Sequence, residues 1–190
     1  MANDTFVMSV RQAAELDHAF ARNGWSAEDI KKLSAGSTLT EFRKILLGHA
    51  SIATVEHDID LDADPFVPEG LTVEEHHKGG SFSWDVTRVQ LWLSEGQRGS
   101  KYVEGNKLRK ELAGSQVFNA NLLDHLLKHT HLIPEEWKGK YVFFWGTIYR
   151  GRGGGLCVRC LYWDGGRWRW FYGWLYFVFS DVSPAALRAS

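Results

Sequence analysis

The sequence predicts an α+β protein in which a helical N-terminal module precedes a C-terminal antiparallel three-strand β-meander rich in aromatic residues. Three observations carry this. Residues 9–48 hold capped segments with helical spacing, and residues 138–174 hold three runs of aromatic and β-branched residues broken by glycine turns. Between them lies an acidic stretch with two prolines, DLDADPFVPEG.

Ser9 with Gln12 forms a capping box, and Val10, Ala13, Ala14, Leu16 and Phe20 continue it as an amphipathic helix ending near Gly24. Ser26 with Asp29 opens a shorter helix through Leu33. Thr38 with Glu41 opens a third through Leu47, stopped by Gly48. The expected organisation is a helical module at 1–50, an acidic connection with short strands at 51–103, helices at 104–133 and a Trp-rich sheet at 134–190.

Within the connection, SIATVEHDID alternates like a strand with Ile52, Val55 or Ile59 inward, and the acidic turn after it is the expected seam between modules. LTVEEHH and SFSW read as a hairpin across Lys78-Gly79-Gly80, whereas residues 85–94 fit helix and strand equally. NKLRKELAG and NANLLDHLLKH read as helices, the second capped by Asn119 and ending before Pro134.

The final sheet is the best-specified region, because Asp164-Gly165-Gly166 is a strong hairpin signal. Pairing Trp163 with Trp168 across that turn sets Leu161 opposite Trp170 and Arg159 opposite Tyr172. One side then carries Leu161, Trp163, Trp168 and Trp170, and the other Cys160, Tyr162, Arg169 and Phe171. Strand 141–149 is also apolar on both faces. One face is expected under the helices, and the other needs the 175–179 segment LYFVF, a partner or a ligand to cover it.

A chain of 190 residues can bury a sizeable core without disulfides, and its make-up, 44% apolar and 24% charged, is that of an ordinary globular protein. Nine Trp, eleven Phe and six Tyr are the departure from the average. Two cysteines give no disulfide framework, no apolar run is long enough to span a membrane, and MANDTFVMSV lacks signal-peptide character. The expectation is a cytoplasmic protein without membrane contact. Residues 1–133 hold 14 Lys/Arg against 19 Asp/Glu, and residues 134–190 hold 8 against 4, so the halves carry opposite charge.

Four constellations compete for a function. The alternation of rings and cations in RCLYWDGGRWRWFYGW makes Arg159, Trp163, Arg167, Trp168, Arg169 and Trp170 interaction candidates, since aromatic faces stack on bases and guanidinium groups meet phosphates. Cross-strand packing accounts for the same residues. Asp58, Asp60, Asp62 and Glu69 have the oxygen-ligand spacing of a calcium loop, but Ala63 stands where that loop needs glycine and two prolines stiffen it. Cys157 and Cys160, with His125 and His129 one helical turn apart, can be written as a zinc site, although cysteines three apart on a regular strand point to opposite faces. The glycine-rich GRGGGL joins two strands, which favours a hairpin loop over an anion nest. His57, His76 and His77 with nearby carboxylates supply acid–base groups in no recognisable catalytic order.

The segments NANLLDHLLKHTHLIPEEWKG, VFFWGTIYR, VRCLYWDGGRWRWFYGWL, RNGWSAEDIKKLS and EGNKLRKEL resemble a family of bacterial proteins from candidate-phylum genomes. The resemblance covers most of the chain and implies no activity and no functional residue. On the residues themselves, the chain reads as a binding module rather than a catalyst, without a cofactor, working by protein–protein interaction or self-association through the aromatic sheet. Single-stranded nucleic acid, RNA above all, is the alternative partner. A metal-dependent enzyme using the His and Asp residues of 57–77 is the third reading.

Overall fold

The computed structural model describes residues 7–52 and 56–189 and shows an α+β protein of two compact units, 1–55 and 56–190. The acidic turn lies inside the second unit. No helix is long and apolar enough to cross a membrane among the described residues.

The first unit holds α1 (Val10–Arg22), α2 (Ala27–Leu33) and α3 (Thr38–Leu46). Two of the three expected caps form, Ser9 with Gln12 and Ser26 with Asp29. At α3 the cap position is Ser37 and its side chain makes no capping bond, so that helix starts one residue before the sequence signal. Phe20, Ile30, Leu33 and Ile45 are half-buried, and no described residue of this unit is fully buried. Ile52 is exposed, and Val55 lies outside the described residues.

The second unit is built on a mixed sheet of six strands. Three of them form the expected meander: β6 (Val142–Gly151), β7 (Leu156–Trp163) and β8 (Trp168–Trp174). The register at the Asp164 turn is the expected one, Trp163 opposite Trp168, Leu161 opposite Trp170 and Arg159 opposite Tyr172. Asp164 fixes that turn by accepting from the N–H groups of Gly166 and Arg167. These bonds hold its carboxyl down at about 2.

The meander is not the whole sheet. β4 (Val89–Trp92), β10 (Ala185–Arg188) and β2 (Leu71–His76) extend it beyond β6, with β10 and β2 occupying successive stretches of the same β6 edge. The expected hairpin over 71–84 is also replaced by longer-range pairing. β2 runs antiparallel to β6, while β3 (Ser81–Ser83) pairs with β1 (Asp58–Asp60). Ion pairs from Glu74 to Arg150 and from Glu75 to Arg109 help tie β2 to the sheet and to α4 (Gly105–Glu111). Residues 86–88 form a single 3-10 turn before β4, so the ambiguous 85–94 segment divides between the two forms.

Both faces of the sheet are covered over most of their area. On one, Val142, Phe144, Leu161 and Trp168 pack with Leu122, Leu123 and Leu126 of α5 (Ala120–Lys128) and with Phe82, Phe118 and Trp137. On the other, Phe143, Trp145, Ile148, Val158 and Cys160 pack with Leu108 and Leu112 of α4 and with Leu175 and Phe179. The LYFVF segment therefore does fold back, and β9 (Val178–Phe179) pairs with β5 (Val103–Glu104) to close it. Each leucine so buried contributes about 1.5–3 kcal/mol.

A wide bulge interrupts β6. Between the Phe143–Cys160 and Ile148–Val158 pairs, Phe144–Thr147 stand opposite the single residue Arg159. Through this bulge the loop before α5 reaches the sheet: Gly146 donates to the Phe118 carbonyl, and the Thr147 hydroxyl accepts from Ala120 N–H.

Candidate functional site

A hub of buried polar groups places the working residues of α5. Asn119, 1% exposed, caps the helix by accepting from Asn121 N–H and donates to the carbonyls of Leu61 and His77. His76 bridges Thr147 Oγ1 at 2.8 Å and the Leu61 carbonyl at 3.2 Å. The Thr147 hydroxyl can donate to Nδ1 only if that nitrogen is bare, which leaves Nε2–H to serve Leu61. Asn121 donates to the carbonyls of Asp60 and Ala63, and the Tyr149 hydroxyl to Phe66. The acidic loop is thereby held at both ends against α5 and the sheet.

Two charged or ligating groups project from α5 next to that loop. Asp124 accepts two bonds from Arg159, at 2.7 and 3.0 Å, and the guanidinium lies 4.5 Å from the Trp170 ring and 5.1 Å from Phe66. Burial works against the Arg159 cation, but the two bonds to the Asp124 carboxylate outweigh it and keep the group charged. Its Nε has no partner.

The next residue, His125, and His129 one turn beyond it approach His57, which precedes β1. The ring centroids of His125 and His129 are 4.6 Å apart, and those of His57 lie 5.4 and 4.7 Å from them. A ligand atom from each lies within 4.8 Å of the others. His131 follows at 5.8 Å from His57. Burial, with His129 and His57 adjacent, pulls His125 down to about 4, so its imidazole is neutral at ordinary pH. Among the described residues this is the only group of three or more His, Cys, Asp or Glu side chains spaced to hold an ion.

The residues singled out from sequence are distributed differently. Asp58 accepts from the Ser83 hydroxyl, Asp60 from Asp62 N–H and Asp62 from Gly80 N–H, while Glu69 is exposed near the start of β2. These four carboxylates do not converge, and three of them already accept local hydrogen bonds, two from backbone N–H groups and one from a hydroxyl. Trp168 is buried, and Trp163 and Trp170 are half-buried on the α5 side. Arg167 and Arg169 both turn to Asp164, and Arg150 to Glu74. With Arg159 1% exposed, the four arginines form no common surface.

Cys157 and Cys160 are buried in separate clusters, Cys157 with Tyr149 and Ala120, Cys160 with Phe143 and Val158. They cannot share an ion with the histidines. Burial pushes the thiols up to about 11 and about 12. Neither should react with a disulfide reagent at pH 8 in the native protein, and both should react in denaturant; rapid labelling of a native thiol would contradict the burial.

Comparison of the chain with protein-family models, with curated proteins and with solved structures finds no match.

The exposed rings are others than the interaction candidates expected from sequence. Phe171, Tyr172, Trp174, Tyr176 and Phe177 make an unbroken chain of ring contacts, with successive centroids at 5.4, 5.4, 5.9 and 4.6 Å. Phe171, Tyr176 and Phe177 are more than half exposed. The glycine loop serves this ladder, since a β-carbon at Gly151 would lie 2.6 Å from the Trp174 ring and one at Gly155 at 3.4 Å. GRGGGL is shaped to receive an indole.

Proposed function

We propose that the 56–190 unit is a non-catalytic interaction module that self-associates along β8. The observation that carries this is the five-ring ladder that starts on β8 and runs into the turn after it, on a strand that among the described residues pairs only with β7 and so ends the sheet. A free strand edge offers unpaired N–H and C=O groups, and an apolar ladder beside it adds burial to backbone pairing. Antiparallel addition of a second β8 is self-complementary under a two-fold axis.

The nucleic-acid alternative has less support, because its cations are internally paired. Size-exclusion chromatography with light scattering tests the association. The expected result is a concentration-dependent dimer that Phe171→Lys with Tyr176→Lys returns to monomer, since both positions are exposed and the change adds like charge at the edge. A wild-type monomer throughout the micromolar range would remove the reading.

A further inference from the structure

We propose that His57, His125 and His129 bind one divalent transition-metal ion of the zinc class, fastening the start of β1 to the C-terminal end of α5. The donor set is the first reason. Imidazole nitrogen suits zinc, cobalt, nickel and copper, whereas calcium and magnesium require the oxygen donors that the cluster lacks. Three protein nitrogens are also a sufficient set, since open zinc sites use three protein ligands with water in the fourth place.

The second reason is an unmet bonding demand. His125 Nε2 is buried and has no hydrogen-bond partner. A buried imidazole nitrogen in that position costs free energy unless something occupies it. An ion bound to that nitrogen would meet the demand, and two further imidazoles lie close enough to complete its set.

Geometry is the third. Tetrahedral zinc with Zn–N distances of about 2.0–2.1 Å sets its nitrogens about 3.4 Å apart. The ligand atoms here lie within 4.8 Å of one another, so binding would draw each pair of nitrogens together by about 1.4 Å or less. His125 lies in the last turn of α5 and His129 is the residue that caps its end, with their rings 4.6 Å apart, and His57 is anchored because its carbonyl accepts from Trp84 N–H. His125 also lines an open groove with Asp58, Asp124 and Trp170, which gives an ion a route in.

The site is independent of the β8 ladder, and the test does not involve association. Full-length protein stripped with chelator is titrated with zinc in competition with a chromophoric indicator. One equivalent is expected to bind, with a rise in melting temperature that calcium and magnesium do not reproduce. His57→Ala, His125→Ala and His129→Ala are each expected to weaken zinc binding by about a hundred-fold or more. His49→Ala, at an exposed histidine of the first unit, should leave it unchanged. Cobalt provides a second readout: visible d–d absorption in the wild type that His57→Asn loses, with far-ultraviolet circular dichroism confirming that the variant is folded. Failure of zinc to bind, or full retention of one equivalent in the His57 and His129 variants, overturns the proposal.

Discussion

Arg159→Met is expected to lower the unfolding free energy of the 56–190 unit by about 3–5 kcal/mol, the range for breaking a buried ion pair from one side. The methionine keeps most of the stem's packing volume, so the loss is electrostatic. Asp124, 23% exposed, would keep its charge in a mostly desolvated position with no guanidinium to answer it. The stacking of the cation on Trp170 and Phe66 disappears as well. Because Arg159 Nε is itself unpartnered, the pair is not an ideal one, and removing both charges should be far milder than removing one. Urea titration followed by the near-ultraviolet signal of the unit's tryptophans measures both variants. A cost under about 1 kcal/mol for Arg159→Met, or equal costs for it and for Arg159→Met with Asp124→Leu, would show that the pair does not act as described.

Arg159 also shows where reading from sequence stops. Its register opposite Tyr172 was legible, because a hairpin closed by Asp164-Gly165-Gly166 specifies its own pairing, and so was its place on the face with Trp170. Its partner was not, since Asp124 comes from a helix whose position over β7 depends on the bulge in β6. The same division runs through the molecule. Capping at Ser9, Ser26 and Asn119 is local chemistry and reads directly. β4 and β10 have four residues each, too few for periodicity to reveal, and their pairing is decided by long-range contacts. The spacing of His125 and His129 was visible as one helical turn, but their third neighbour, His57, is brought in by the packing of β1 on α5. Against Cys157 and Cys160 as partners for those histidines, strand alternation already spoke, and the two thiols do lie in separate clusters.

Gly146→Ala is expected to cost about 3 kcal/mol, the upper end for overpacking, because the obstruction is backbone and cannot swing aside. An added β-carbon would stand 2.9 Å from Asn119 N and Cβ and 3.0 Å from its Cα. The bulge and the helix cap would have to separate, and with them the bonds that Asn119 makes to Leu61, His77 and Asn121. Asn119→Ala attacks the same hub from the other side. Losing the cap costs about 1 kcal/mol, and each buried carbonyl left without a donor adds about 1–3 kcal/mol. His76 still reaches Leu61, so the carbonyl most exposed to loss is that of His77 and the expected total is about 2–4 kcal/mol. Since both substitutions break one junction, the double variant should cost less than the sum of the singles by about 1 kcal/mol or more in urea denaturation. Additivity within about 0.5 kcal/mol would mean that the bulge and the cap are independent. Coupling would instead place the bulge of β6 upstream of everything α5 presents, since Asp124, His125 and His129 all hang from the helix that Asn119 starts.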